Sequence, residues 1–296
     1  MTALRGTLRT DVPLREHTSW RVGGPAQRLY QPADLADLVA FLQQLPEDEP
    51  LFVLGLGSNL LVRDGGLRGT VLLLHAALTE LRLDDADSVY AEAGIPGAKL
   101  ARFAGRQNLR GAEFFAGIPG TLGGMLAMNA GCYGDETWRH VRQVQTVDRH
   151  GVLRLRSPQA FEVAYRHVQP LAAQQDEWFV AAWLDFASGD GELVRADIKS
   201  LLQKRIASQP LNLPNAGSVF RNPPGDHAAR LIEHCGLKGR RCGGAQVSEK
   251  HANFIVNVAK ATARDIETLI ATVQNTVAQQ TGVQLQCEVR IVGEEK

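Results

Sequence analysis

No C-x-x-C pair occurs among the four cysteines, Cys132, Cys235, Cys242 and Cys287. That speaks against a redox dithiol and against a zinc site built on cysteine pairs. The eight histidines are scattered and form no H-E-x-x-H or similar ligand pattern, so no metal is expected. An excess of one charge is also missing. Lysine plus arginine and aspartate plus glutamate stand at 32 each, which argues against a protein whose main partner is nucleic acid. No apolar run approaches the roughly 18 residues that a membrane span needs. Met1 to Gly6 carries no apolar signal core, so we expect no membrane partner and a cytoplasmic location. Two common phosphate motifs are absent as well. No Gly-Lys-Ser/Thr closes a glycine loop, and no glycine fingerprint opens a long helix with an acidic residue about twenty positions on.

What is present is a chain of 296 residues with 44% hydrophobic and 22% charged residues. That is ordinary for a globular protein and long enough for two or three domains with a buried core. Its dominant feature is a pair of glycine-rich loops, Gly55-Leu56-Gly57-Ser58-Asn59-Leu60-Leu61 and Gly117-Ile118-Pro119-Gly120-Thr121-Leu122-Gly123-Gly124. Dense glycine costs conformational entropy and wants a reason. Backbone N–H groups that must approach a phosphate supply one. Two such loops suggest a diphosphate held from two sides.

Three α+β units follow one another in the pattern. In the first, a strand is expected around residues 18–22 and a second after Gly24-Pro25. A helix capped by Asp34 comes next, with Leu35, Leu38, Val39 and Leu42 at helical spacing, then strands at 51–54 and 71–74. Short strands and Gly/Asp turns dominate from residue 80, with a helix near 98–107 and strands at 141–156 and 178–186. Past the turn Gly189-Asp190-Gly191, helices near 228–235 and 263–280 alternate with strands at 252–258 and 284–292.

Three side chains outside the glycine loops are candidates for chemistry. Ser218 sits in Asn215-Ala216-Gly217-Ser218-Val219-Phe220, where small neighbours let a ligand approach. Taken alone it reads first as a turn serine, and the run is not a hydrolase elbow. Glu288 lies on the strand face opposite Leu285, Cys287 and Val289. It meets either solvent or a cleft. Arg166, after Tyr165 on a half-polar strand, reads as a surface residue unless the combination says otherwise.

The ordered set of motifs resembles the UDP-N-acetylenolpyruvoylglucosamine reductase family from near one end of the chain to the other. The matching blocks are Thr18 to Ala26, Gly55 to Val62, Gly117 to Gly124, Met128-Asn129-Ala130-Gly131-Cys132-Tyr133-Gly134 and Tyr165-Arg166. Asn215 to Pro223, Gly243 to Ser248, His251 to Asn257 and Cys287-Glu288-Val289-Arg290 complete the set. The resemblance implies an α+β fold with two FAD-binding subdomains of the vanillyl-alcohol oxidase type, residues 1–77 and 78–190, and a substrate domain, 191–296. It implies non-covalent FAD, NADPH as hydride donor and a UDP-sugar as small-molecule partner. Flavin N5 would pass hydride to C3 of the enolpyruvyl ether, Ser218 would give the proton to C2, and Arg166 and Glu288 would stabilise the enolate-like intermediate. Beside that developing charge, Glu288 would act protonated or hydrogen-bonded.

The resemblance also distributes the binding residues. Gly55, Gly57, Ser58, Asn59 and Leu60 would serve FAD from the first loop. Gly117, Pro119, Gly120, Thr121, Gly123 and Gly124 would serve it from the second, with Asn129 and Gly131 following. Tyr133, Tyr165 and Asn222 would bind the UDP-sugar, and Arg205 and Lys238 are basic candidates for it by their nearness to the motif loops alone. With Ser218 only 52 positions after Arg166, the chain resembles the short form of the family, without the inserted segment. The alternatives are another FAD-dependent oxidase of the same fold and a non-catalytic nucleotide-binding protein.

Overall fold

The computed structural model describes residues 3–171 and 176–296. Compactness divides it into two units rather than into consecutive segments. One holds residues up to Arg9, Leu29–Gly55 and Thr70–Arg205; the other holds Thr10–Arg28, Leu56–Gly69 and Ile206–Lys296.

The first unit is organised by a five-stranded antiparallel sheet with spatial order Leu153–Arg156, Val141–Asp148, Glu177–Asp185, Ser88–Glu92, Leu81–Asp85. Its two faces bury different clusters. Val144, Ala182 and Leu184 join Phe114, Phe115, Leu122 and Leu126. Val147 and Val180 join Tyr30, Leu38, Phe41 and Leu72. Val180 and Ala182 would share a face on a regular strand, because side chains alternate with period two. A bulge separates them: Gln145 pairs with Ala181 but Thr146 with Phe179, so Val180 is the extra residue. The extra residue flips the alternation and lets one strand serve both cores.

Helices cover this sheet and its neighbours. Helix α1 (Leu35–Leu42) starts where Asp34 accepts a hydrogen bond from the Asp37 N–H at 2.9 Å, an N-cap of the expected kind. Helix α2 (Gly97–Arg106) and the short α3 (Leu122–Ala127) flank the second glycine loop. Helix α4 (Gly191–Ser208) buries only Gly191, Val194 and Ile198. Residues Leu51–Leu54 run parallel to Thr70–Leu73, with Leu51 opposite Thr70 and Leu54 opposite Leu73.

The second unit packs helices α5 (Ala228–His234) and α6 (Ala263–Thr281) around one core containing Trp20, Leu61, Val219, Phe220, Leu231, Ile270 and Leu285. Buried Ile266, Leu269, Ile270, Val273 and Val277 make the inward stripe of α6. Thr262 and Asp265 form a reciprocal capping box at its start, and Gly282 ends it with φ 74°, a left-handed cap that suits glycine. A small antiparallel sheet orders Arg241–Cys242, Ala245–Val247 and Ile255–Asn257. Leu60–Val62 pairs in parallel with Arg290–Val292.

Three local expectations change. Residues 18–22 form turns instead of a strand, closed by Arg21 N–H to Thr18 O at 3.1 Å and by the Thr18 hydroxyl to Val22 O at 2.7 Å. The strand expected over 284–292 shortens to Arg290–Val292, with one isolated bridge between Cys287 and Phe220. Its alternation survives, since Leu285 and Val289 are buried. Arg166 lies in a two-residue turn joining Phe161–Ala164 to His167–Pro170, not on a strand. No helix among the described residues is long and apolar enough to cross a membrane. Among them, no cluster of three His, Cys, Asp or Glu side chains could hold a metal ion.

Candidate active site

In the first unit, the second glycine loop is threaded between neighbours. Gly97 N–H donates to Gly120 O at 3.0 Å, Leu122 N–H to Ile95 O at 2.8 Å and Gly123 N–H to Ala93 O at 2.9 Å. Two of its glycines are crowded by protein atoms. A Cβ on Gly117 would stand 2.7 Å from the Tyr133 ring and 2.9 Å from Cys132 Sγ; one on Gly123 would stand 3.0 Å from Ala93 Cβ. A Cβ on Gly55, at the entry to the first loop, would overlap Thr121 Oγ1. That contact brings the start of the first loop against the second. Gly124 differs: the nearest atom to its Cβ position is Thr121 Oγ1 at 3.9 Å.

Beyond this loop lies a cluster of left-handed backbone. Asn129 has φ 40°, Tyr133 57° and Arg166 54°, a region that non-glycine residues seldom occupy. The Arg166 guanidinium donates to Asn129 O at 3.4 Å and to Gly131 O at 3.0 Å. It also lies over the Tyr165 ring, 5.0 Å from the centroid, a cation–π geometry. Asn129 is 1% exposed. Its side chain donates to Ala164 O at 3.3 Å and accepts from Trp138 N–H at 3.1 Å. The Tyr133 hydroxyl donates to Leu201 O at 3.0 Å. Burial pushes the Arg205 guanidinium below its usual range, against the pull of Tyr133 and Cys132 beside it.

The second unit holds the rest of the first loop and the other two candidates. Gly57 takes φ 59°, and a Cβ there would overlap His17 O. Ser19 donates to Gly57 O from its N–H at 3.2 Å and its hydroxyl at 3.4 Å. Asn59 Nδ2 donates to Glu288 O at 3.1 Å, and Arg290 N–H returns a bond to Asn59 O at 3.0 Å. Leu60 then opens the pairing with Arg290. On its other side, Glu288 N–H donates to Val219 O at 2.8 Å. One backbone therefore ties together the first glycine loop, Glu288 and the segment next to Ser218.

The Ser218 segment is clamped from both ends by asparagines. Asn215 donates to Leu213 O at 2.8 Å and accepts from Gly217 N–H at 3.0 Å. Asn253, 4% exposed, accepts from Phe220 N–H at 3.0 Å and donates to Phe220 O at 2.8 Å. Gly217 between them has φ 74° and open space at its Cβ position. No described residue hydrogen-bonds the Ser218 hydroxyl, which leaves it available to a ligand. Asn222 is placed otherwise: its Oδ1 accepts from Ala228 N–H at 3.1 Å, at the start of α5. Lys238 Nζ pairs with Glu233 at 3.0 Å. Asn215 and Asn253 were not among the expected site residues, although both stand inside the quoted motif blocks.

Each loop, taken by itself, offers backbone N–H groups to an anionic ligand. Among the described residues, none accepts from the backbone N–H groups of Gly57, Ser58 and Asn59 in the second unit, or of Thr121 and Gly124 in the first. Unused N–H groups on a rigid glycine backbone are what an anion needs.

Comparison with known proteins bears on both regions. Residues 26–156 match the family described as FAD binding domain. Residues 209–292 match the one described as UDP-N-acetylenolpyruvoylglucosamine reductase, C-terminal domain. Over 289 residues the chain is 62% identical to the UDP-N-acetylenolpyruvoylglucosamine reductase of Alkalilimnicola ehrlichii, covering 98% of this chain and 96% of that one. It is 62% identical over 290 residues to that of Methylococcus capsulatus, covering 98% and 94%. The crystal structure of UDP-N-acetylenolpyruvylglucosamine reductase from Thermus caldophilus superposes with a TM-score of 0.82 at 30% identity, covering 98% of this chain and 99% of that chain.

Proposed function

This chain belongs to the UDP-N-acetylenolpyruvoylglucosamine reductase family, and from that premise we propose the reaction in full. It is an FAD-dependent oxidoreductase of peptidoglycan precursor synthesis. The proposed reaction reduces UDP-N-acetyl-3-O-(1-carboxyvinyl)-glucosamine to UDP-N-acetylmuramate at the expense of NADPH, in the cytoplasm. The observation that carries this reading is the backbone junction of Asn59, Glu288 and Val219. Through it the segments that carry Ser218 and Glu288 meet a glycine loop with unused N–H groups.

In this reading, Gly57, Ser58, Asn59 and Leu60 hold FAD from the first loop, with Gly55 at its entry. Gly117, Pro119, Gly120, Thr121, Gly123 and Gly124 hold it from the second, with Gly124 the point of nearest approach. Gly131 follows on the same side, while Asn129, expected beside the cofactor, is 1% exposed and offers it no surface, its backbone O serving Arg166 instead. The 1–77, 78–190 and 191–296 division is kept as a functional one: two FAD subdomains and a substrate domain. Bound FAD supplies the hydride that adds to C3 of the enolpyruvyl group. Hydride addition pushes charge through C2 into the carboxylate. Arg166 offers a planar cationic fork to that carboxylate. Ser218 delivers the proton to C2, general-acid help worth roughly 10²–10⁴ in rate. Glu288 supports the same charge by hydrogen bonding. Tyr133, Tyr165, Arg205, Asn222 and Lys238 bind the UDP-sugar.

The test separates the half-reactions. Purified protein is expected to be yellow. In Ser218→Ala, NADPH still bleaches the flavin at the parent rate, while reoxidation by the enolpyruvyl sugar nucleotide slows by 10²-fold or more. Equal slowing of both halves would make Ser218 structural. Rapid turnover with oxygen alone would favour an oxidase.

A further inference from the structure

We propose that Asn129 is a positioning residue for Arg166, acting through the turn that carries it. The argument starts from the conformation. Arg166 is the second residue of the turn Tyr165-Arg166, with φ 54°. A turn with positive φ at that position normally takes glycine or asparagine. A non-glycine residue held there is strained and persists only where its surroundings over-determine it. Of the groups that hold this turn, one residue acts at two points. Asn129 Nδ2 donates to Ala164 O, immediately before the turn, at 3.3 Å. Asn129 O accepts from the Arg166 guanidinium at 3.4 Å. The same asparagine grips the backbone at the turn's entry and the charged end of its second residue.

Asn129 is in turn fixed from behind. Its Oδ1 accepts from Trp138 N–H at 3.1 Å, and the Trp138 indole N–H is anchored on Leu126 O at 2.8 Å. At 1% exposure and φ 40°, the side chain has no surface left for a bound molecule. Both its donor and its acceptor are spent inside the protein. It is therefore support for Arg166 rather than a group that touches cofactor or substrate. Asparagine is suited to this place because it tolerates left-handed backbone and carries one donor and one acceptor on the same side chain.

This inference rests on the proposed role of Arg166 on the substrate carboxylate, and the experiment keeps the two apart. Asn129→Gly keeps the backbone conformation accessible and removes both side-chain bonds. Asn129→Asp keeps the acceptor for Trp138 and removes the donor to Ala164. Each is made alone and with Arg166→Ala, and both half-reactions are followed by stopped-flow flavin absorbance, with FAD affinity measured by fluorescence. Both single variants are expected to slow reoxidation by the enolpyruvyl substrate about 10- to 100-fold, with flavin reduction by NADPH and FAD affinity within about twofold of the parent. In the Arg166→Ala background, the same changes should slow reoxidation less than about twofold, the non-additivity of residues acting as one. If they slow it by the full factor there too, or slow both half-reactions equally, Asn129 is merely structural and the inference fails. Should Arg166→Ala itself leave reoxidation unchanged, the role given to Arg166 fails instead.

Discussion

The glycines of the second loop make a prediction that separates packing from ligand approach. Gly124 is the third residue of α3, with no protein atom within 3.9 Å of its Cβ position. Alanine there creates no clash and removes the excess freedom of glycine from a helix, worth about 0.5–1 kcal/mol. At a few degrees per kcal/mol for a chain of this size, the FAD-free protein should gain roughly 1–3 °C in thermal midpoint. Gly55→Ala is the opposite case. Its methyl overlaps Thr121 Oγ1, and Thr121 is 3% exposed. A β-branched side chain in that setting has little room to rotate away. Overpacking of this kind costs about 1–3 kcal/mol.

The assay is a pair of measurements on each variant: thermal unfolding of the FAD-free protein, and FAD titration by flavin fluorescence. If the N–H groups of Thr121 and Gly124 receive the cofactor, a methyl on Gly124 holds it off. FAD affinity should then fall at least tenfold, about 1.4 kcal/mol, while the FAD-free protein becomes no less stable. Gly55→Ala should lose stability first, with any loss of affinity following from it. A Gly124→Ala protein that binds FAD as tightly as the parent would refute the assignment of Gly124 as the approach point. One destabilised as much as Gly55→Ala would refute the packing argument itself.

Three further outcomes follow from other contacts. Asn253→Ala leaves the buried Phe220 N–H and C=O without their partner, each worth about 1–3 kcal/mol when unsatisfied; thermal or urea unfolding should show a loss of about 2–5 kcal/mol, and a loss below 1 kcal/mol would mean the Ser218 segment is held elsewhere. Removing FAD should lower the thermal midpoint, and adding it back should raise it with the logarithm of FAD concentration above Kd; a midpoint insensitive to FAD would contradict binding to the folded state. Burial pushes the Cys132 thiol up to about 11, so iodoacetamide at pH 8 should label it far more slowly in folded than in unfolded protein. Because the folded value is raised, this group's stabilising contribution is whole below the ordinary thiol range and is lost as pH climbs towards 11; rapid labelling of folded Cys132 would refute its burial.

Much of the scaffold was legible because its signals are local. Asp34 before the apolar spacing of Leu35, Leu38 and Leu42 marks α1, and the helical stripe from Ile266 to Val277 marks α6. The three candidates for chemistry were reached through an ordered set of motifs, not through any local rule. No local pattern tells that Glu288 N–H meets Val219 O, because the two segments lie far apart in sequence and the bond belongs to an irregular loop. The alternation of Leu285, Cys287 and Val289 correctly reports which side is core. It does not report that Phe220 bridges Cys287 alone while regular pairing starts only at Arg290. The division into units was hidden for a similar reason: each is assembled from three separate stretches.

The failures at Arg166 have a different origin, and it bears on how the site works. Propensity predicts a turn where glycine, asparagine or proline stands. Tyr165-Arg166 has none of these, and a strand was the reasonable expectation. The turn forms anyway because Asn129, Gly131 and the Tyr165 ring hold what the backbone alone disfavours. Tyr133 repeats the case, with left-handed backbone at an aromatic residue in the tight turn between Cys132 and Asp135. A glycine at either place would fold more easily but would carry no guanidinium and no hydroxyl. Positions where the local preference is overruled in favour of a particular side chain are where function is paid for in stability. By that argument, Arg166→Gly should fold at least as well as the parent and fail in reoxidation by the enolpyruvyl substrate, and a folded state weakened by that change would show that Arg166 is kept for packing.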